Sequence, residues 1–142
     1  MLPVEVHKII DKSKENVWKA ITEHSQMIQW FFDNIPDFKA ELGFKTWFVL
    51  ANEDRSFYHL WEVVEVVENK SIAVEWTYPD YVKTPFLVVF DLEDLNNNQT
   101  KFTVIAKGIE QFESFNIPEF TRESCIGGWE YFTNRLKEYI EK

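Results

Sequence analysis

Glu62 is the residue of this 142-residue chain with the clearest chemical opportunity. It stands in the run Leu60, Trp61, Glu62, Val63, Val64, Glu65, Val66. If Leu60, Val64 and Val66 face a core, the two-residue period of a strand turns Glu62 inward with them. A carboxyl among apolar rings resists ionisation and could orient a ligand or pass a proton. A bulge near Trp61 would instead turn Glu62 to solvent and leave His59, Trp61, Val63 and Glu65 on the inner face. Arg122, early in the last helical segment, could pair with Glu62 or with a ligand carboxylate, or sit on a solvated helix face. His7, His24 and His59 share no metal-ligand spacing and read as surface or structural residues. Cys125 falls on an apolar stripe and reads as a small hydrophobe, not a nucleophile. With no GxSxG, P-loop, dinucleotide fingerprint or HExxH, the sequence assigns no catalytic residue, cofactor or metal.

Aromatic side chains are the other candidates. They make up 17% of the chain, with 13 Phe and 6 Trp. Phe48, Trp76, Phe86, Phe90, Phe102, Trp129 and Phe132 share one expected concave side. Packed tightly they fill a core; held apart they line an apolar cavity. Gly127 and Gly128 either leave room there or let a helix approach the sheet, and close approach is the preferred reading.

Charge narrows the partners. Fifteen basic against 24 acidic residues give −9 at pH 7, which repels phosphate backbones and anionic membranes. One cysteine excludes an internal disulfide framework and a Cys-based zinc site. The start, Met1-Leu2-Pro3-Val4-Glu5, lacks a signal-peptide pattern, and no apolar run is long enough for a membrane span. A soluble cytoplasmic protein, one domain over 1–142, is the expectation.

The elements that must position these residues follow from period and punctuation. Residues 4–10 read as a strand. Ser13 caps a helix whose apolar face is Val17, Trp18 and Ile21, and a short helix over 25–31 buries Met27, Ile28, Trp30 and Phe31. Strands are expected over 38–42, 44–50, 57–67, 71–77, 86–93 and 101–107, with turns at 52–56, 68–70 and 95–98. A helix running from about Pro118 carries Cys125, Trp129, Phe132, Leu136 and Tyr139 at spacings that share one face. Short turns between consecutive strands imply an antiparallel meander.

These residues carry a resemblance across nearly the whole chain. Val17-Trp18, Gln29-Trp30-Phe31 and Gly43, then 62–66 with 72–76, then Gly128-Trp129, Leu136-Lys137 and Tyr139-Ile140 occur in the order found in proteins related to the activator of the Hsp90 ATPase. That family is similar to START and Bet v 1 domains. The resemblance implies an α+β helix-grip fold, a curved antiparallel sheet of six to seven strands wrapped on a long C-terminal helix. The expected function is binding of a small hydrophobic or amphipathic molecule, with polar contacts from Glu62 and Arg122. One rival is a cyclase or hydrolase using Glu62. The other is a chaperone-related interaction module with a filled core and an exposed patch at Trp47, Trp61 and Val63, where edge pairing could also form a homodimer.

Overall fold

The computed structural model describes residues 3–142; Met1 and Leu2, part of the stretch read above for targeting, lie outside the described residues. Six strands form one antiparallel sheet in the order β1-β6-β5-β4-β3-β2. They are β1 (Val4–Ile10), β2 (Lys45–Ala51), β3 (Ser56–Val67), β4 (Ser71–Tyr78), β5 (Val82–Asn96) and β6 (Gln99–Lys107). Helices α1 (Lys14–Thr22) and α2 (His24–Trp30) follow β1, and α3 (Arg122–Glu141) closes the chain. This is the α+β helix-grip architecture expected from the sequence.

Local chemistry explains most boundaries. The Ser13 hydroxyl accepts the Asn16 N–H at 3.3 Å and caps α1. The β5–β6 hairpin turns through Asn96, Asn97 and Asn98, all at positive φ (71°, 53° and 59°), a conformation that asparagine tolerates and a tight hairpin requires. Inward positions alternate as expected along β5, where Phe86, Val88, Phe90 and Leu92 are buried. Pro85 lies inside β5, before the pairing with β6 begins at Leu87.

Three expectations are corrected. No strand forms over 38–42. Phe38 is buried there but Leu42 is 75% exposed, so the alternation fails, and Gly43 (φ +85°) turns the chain directly onto Val63. The final helix begins at Arg122, not near Pro118; two 3-10 helices, Ile109–Phe115 and Pro118–Phe120, precede it. Most consequential is β3, whose buried residues are Phe57, His59, Trp61 and Val63. A bulge between Val63 and Glu65 then shifts the register, so that Val66 also packs against the core. Leu60 and Val66 therefore belong to opposite faces, and the period that carried Glu62 inward does not run through the bulge. Trp61 and Val63 are core residues, not an outer patch.

Helix α3 runs along β1 and is strapped to it. Lys137 Nζ donates to the Ile9 carbonyl (2.6 Å), Glu141 accepts the Asp11 N–H (2.8 Å), and Lys8 pairs with Glu130 (3.2 Å). That covers one sheet edge. At the other, β2 leaves Trp47 and Val49 59% and 48% exposed. The α1–α2 end of the molecule is solid: Ile10, Ile21, Trp30, Phe102 and Leu136 are fully buried, and the Trp30 indole N–H donates to the Ala20 carbonyl (2.9 Å). At mid-sheet Trp61 stacks on Trp76, ring centroids 4.8 Å apart and planes 29° apart. The Trp61 Nε1–H is buried without a hydrogen-bond partner among the described residues; the Phe48 and Phe38 rings stand near-perpendicular to the indole, centroids 4.9 and 6.3 Å away.

Candidate ligand cleft

The opposite end of the molecule is hollow. A cleft of about 360 Å³ lies between the β2–β3 hairpin, the inner faces of β3 to β5, the 3-10 segments and the first half of α3. Its walls are Phe31, Phe32, Phe57, Trp76, Phe86, Phe112, Phe120, Trp129 and Phe132. Exposed Ala51, Asn52, Thr121 and Ser124 mark the mouth; buried His59, Trp76, Phe86 and Trp129 mark the floor. None of the largest fully buried side chains lines it.

The cleft persists because of where α3 places its small residue. Gly128 is on the wall, and a Cβ built on it would meet no atom within 4 Å. Close helix–sheet approach, the preferred reading of the glycine pair, is therefore wrong, and missing side chains leave open space. Gly127 likewise meets nothing within 4 Å.

Polar groups in the cleft are few and uncharged at the floor. His59 Nδ1 lies 3.0 Å from the Phe57 carbonyl, which can only accept, so Nδ1 carries the proton and Nε2 is left as an acceptor. Burial lowers the His59 pKa to about 4, with the Phe57 bond opposing, so the ring is neutral near pH 7. The Tyr78 ring stands perpendicular to it, centroids 4.7 Å apart. Burial, with Cys125 adding, pushes the Tyr78 phenol above its ordinary value. The Cys125 thiol is pushed up to about 11 by burial, against Arg122 and the Trp129 indole N–H, and stays protonated.

At the mouth, Glu119 accepts from Asn52 Nδ2 (2.7 Å) and Arg55 Nε (2.9 Å), which ties the β2–β3 turn to the second 3-10 helix. The Asn52 bond foremost, then its own backbone N–H and Arg55, hold the Glu119 carboxyl below its usual range. Among the described residues no group of three or more His, Cys, Asp or Glu could hold a metal ion, and no helix is long and apolar enough to cross a membrane.

The sequence-selected residues divide accordingly. Trp76, Phe86, Trp129 and Phe132 line the cleft. Phe48 stacks on His59 (4.9 Å) behind the wall, and Phe90 and Phe102 pack on each other (5.4 Å) in the core. Glu62 is outside: it pairs across strands with Lys45, 4.0 Å away, its side chain 45% exposed. It alternates with the buried Trp61 and Val63, and the Glu62-based enzyme loses its inward acid. Arg122 donates to the Pro3 carbonyl (3.1 Å) and does not line the cleft. Sequence reasoning missed His59 and Tyr78 as floor residues. The signal was parity: His59 is two residues from both Phe57 and Trp61, and Tyr78 is two from Trp76.

Sheet, grip helix and hollow end define a helix-grip protein of the START-like class. The chain belongs to the family described as activator of Hsp90 ATPase homolog 1-like protein, which matches residues 11–141. Solved structures share the fold. Protein MLL2253 from Mesorhizobium loti is similar with TM-score 0.73 and 22% identity, over 98% of this chain and 96% of that one. The Aha1 dimer from Colwellia psychrerythraea, a solution structure, gives 0.74 and 20%, over 99% and 97%. PFC0360w of Plasmodium falciparum, an Hsp90 activator, gives 0.77 and 16%, over 99% and 97%. No curated protein matches the chain.

Proposed function

We propose that this protein binds a small, largely apolar molecule in the cleft between the sheet and the first half of α3. The observation that carries the reading is the open space beside Gly128. In a chain this rich in aromatics, larger helix residues would fill the gap, yet glycine stands at a helical position where it costs about 1 kcal/mol against alanine. The cleft lies within the range of roughly 300–1,000 Å³ common for small-molecule sites. Trp76, Phe86, Trp129 and Phe132 would supply the contact area, and Glu62 and Arg122 would take no part.

Two substitutions separate stability from binding. Gly128→Ala is expected to raise unfolding free energy by about 1 kcal/mol in urea titrations, because the helix gains and nothing clashes. Gly128→Leu is expected to fold and to abolish the saturable NMR shifts that small aromatic probes induce at cleft residues. Unchanged probe binding by a folded Gly128→Leu protein would refute the cleft as the site.

A second reading, self-association, is favoured by Trp47 and Val49 exposed on the uncovered β2 edge. The Colwellia relative is a dimer in solution. Sedimentation equilibrium is expected to give a dimer that Trp47→Lys converts to monomer; a monomeric parent would end this reading.

A further inference from the structure

We infer that the occupant of the cleft is a neutral aromatic hydroxy compound, a phenol of about two or three rings, whose hydroxyl donates to His59 and accepts from Tyr78. The inference rests on the ligand-binding reading above and specifies its chemistry.

Three observations select this class. First, the floor presents one acceptor beside one donor. The Phe57 carbonyl occupies His59 Nδ1, which leaves Nε2 to accept; the Tyr78 hydroxyl makes no hydrogen bond to any described residue. The two rings are adjacent, 4.7 Å between centroids, and both line the cleft. A hydroxyl is the smallest group that satisfies an acceptor and a donor together, whereas an ether or ketone satisfies only the Tyr78 donor.

Second, charge is excluded in both signs. Among the described residues no lysine or arginine lines the cleft, and the one charged residue on its walls, Glu119, is at the mouth and already engaged by Asn52 and Arg55. A carboxylate at the floor would face the His59 lone pair with no cation to compensate its lost hydration. A cation would find ring faces but, among the described residues, no carboxylate at the floor.

Third, the walls are flat rings, including Trp76, Phe86, Phe112, Trp129 and Phe132. Ring faces reward a rigid aromatic guest, which gives up little conformational freedom on binding; a flexible chain of the same size gives up more.

The test is isothermal titration calorimetry near neutral pH with four probes on one ring system. They are 2-naphthol, naphthalene, 2-naphthoate and naphthyl-trimethylammonium. Wild type is expected to bind 2-naphthol about tenfold more tightly than naphthalene, the effect of a satisfied hydrogen-bond pair, and the two ions most weakly. Tyr78→Phe, which removes only the hydroxyl, and His59→Phe, which keeps a ring against Phe48, are each expected to cut the advantage of 2-naphthol over naphthalene several-fold. Equal affinity for 2-naphthol and naphthalene, or an ion binding as tightly as the phenol, would overturn the phenol assignment and leave the cleft reading standing. Failure of all four probes to bind wild type would overturn both.

Discussion

Phe31→Ala is expected to lower unfolding free energy by about 3–5 kcal/mol, a large share of the roughly 5–15 kcal/mol typical of a domain. The reason is position. Phe31 is the residue at which α2 ends, and its ring, 5% exposed, sits where three layers meet. It touches Trp61 (5.7 Å), Trp76 (6.2 Å) and Phe90 (6.4 Å) on the sheet, and Trp129 (5.6 Å) and Phe132 (4.9 Å) on α3. It also stacks on Trp30 at 4.9 Å. Truncation loses the buried ring area and leaves a void that rings on three sides cannot all close. Urea titration reads the effect as a fall in midpoint at unchanged slope. A loss under about 1 kcal/mol would mean that water entering from the neighbouring cleft, or collapse of α3, already offsets the void.

The second large effect is with pH. His59 has a pKa of about 4 in the folded protein against 6.5 for the ordinary side chain. Between those values the unfolded chain binds a proton that the folded chain refuses, so stability rises with pH across that window. The contribution is complete above pH 6.5, falls as pH drops toward 4, and amounts to about 3 kcal/mol. Carboxylates titrate in the lower part of the same window, so the readout is a difference. Urea unfolding of wild type and His59→Gln is measured from pH 7.5 to 4. Wild type is expected to lose about 3 kcal/mol more than the variant over that range. Parallel curves would show that water reaches the imidazole and solvates its charge.

Much of this was legible in the chain. Strands β4 to β6 declared their faces by alternation, the asparagine turns declared the hairpins, and Cys125, Trp129, Phe132, Leu136 and Tyr139 declared the grip. The illegible parts share one cause: each depends on a local departure from period. In β3, Val63 and Val66 both contact the core although three residues apart, because Val64 lies in a bulge. An unbroken period through Leu60, Glu62, Val64 and Val66 therefore selects the wrong face, Glu62 included. Phe112 and Phe120 line the cleft from 3-10 helices too short to carry a periodic signal. The cleft itself is set by the absence of a side chain at Gly128, and a missing group has the same appearance in sequence whether it admits a ligand or a neighbouring strand.

The stacked indoles of Trp61 and Trp76 carry a consequence for how the molecule absorbs light. Two identical chromophores held 4.8 Å apart at a fixed angle share their excited states, so their ultraviolet transitions split into a pair of circular-dichroism bands of opposite sign. Because Trp76 is also on the cleft wall, an occupant changes the polarisability around one member of the pair. The protein thus holds an optical gauge between its core and its cavity, readable without any label.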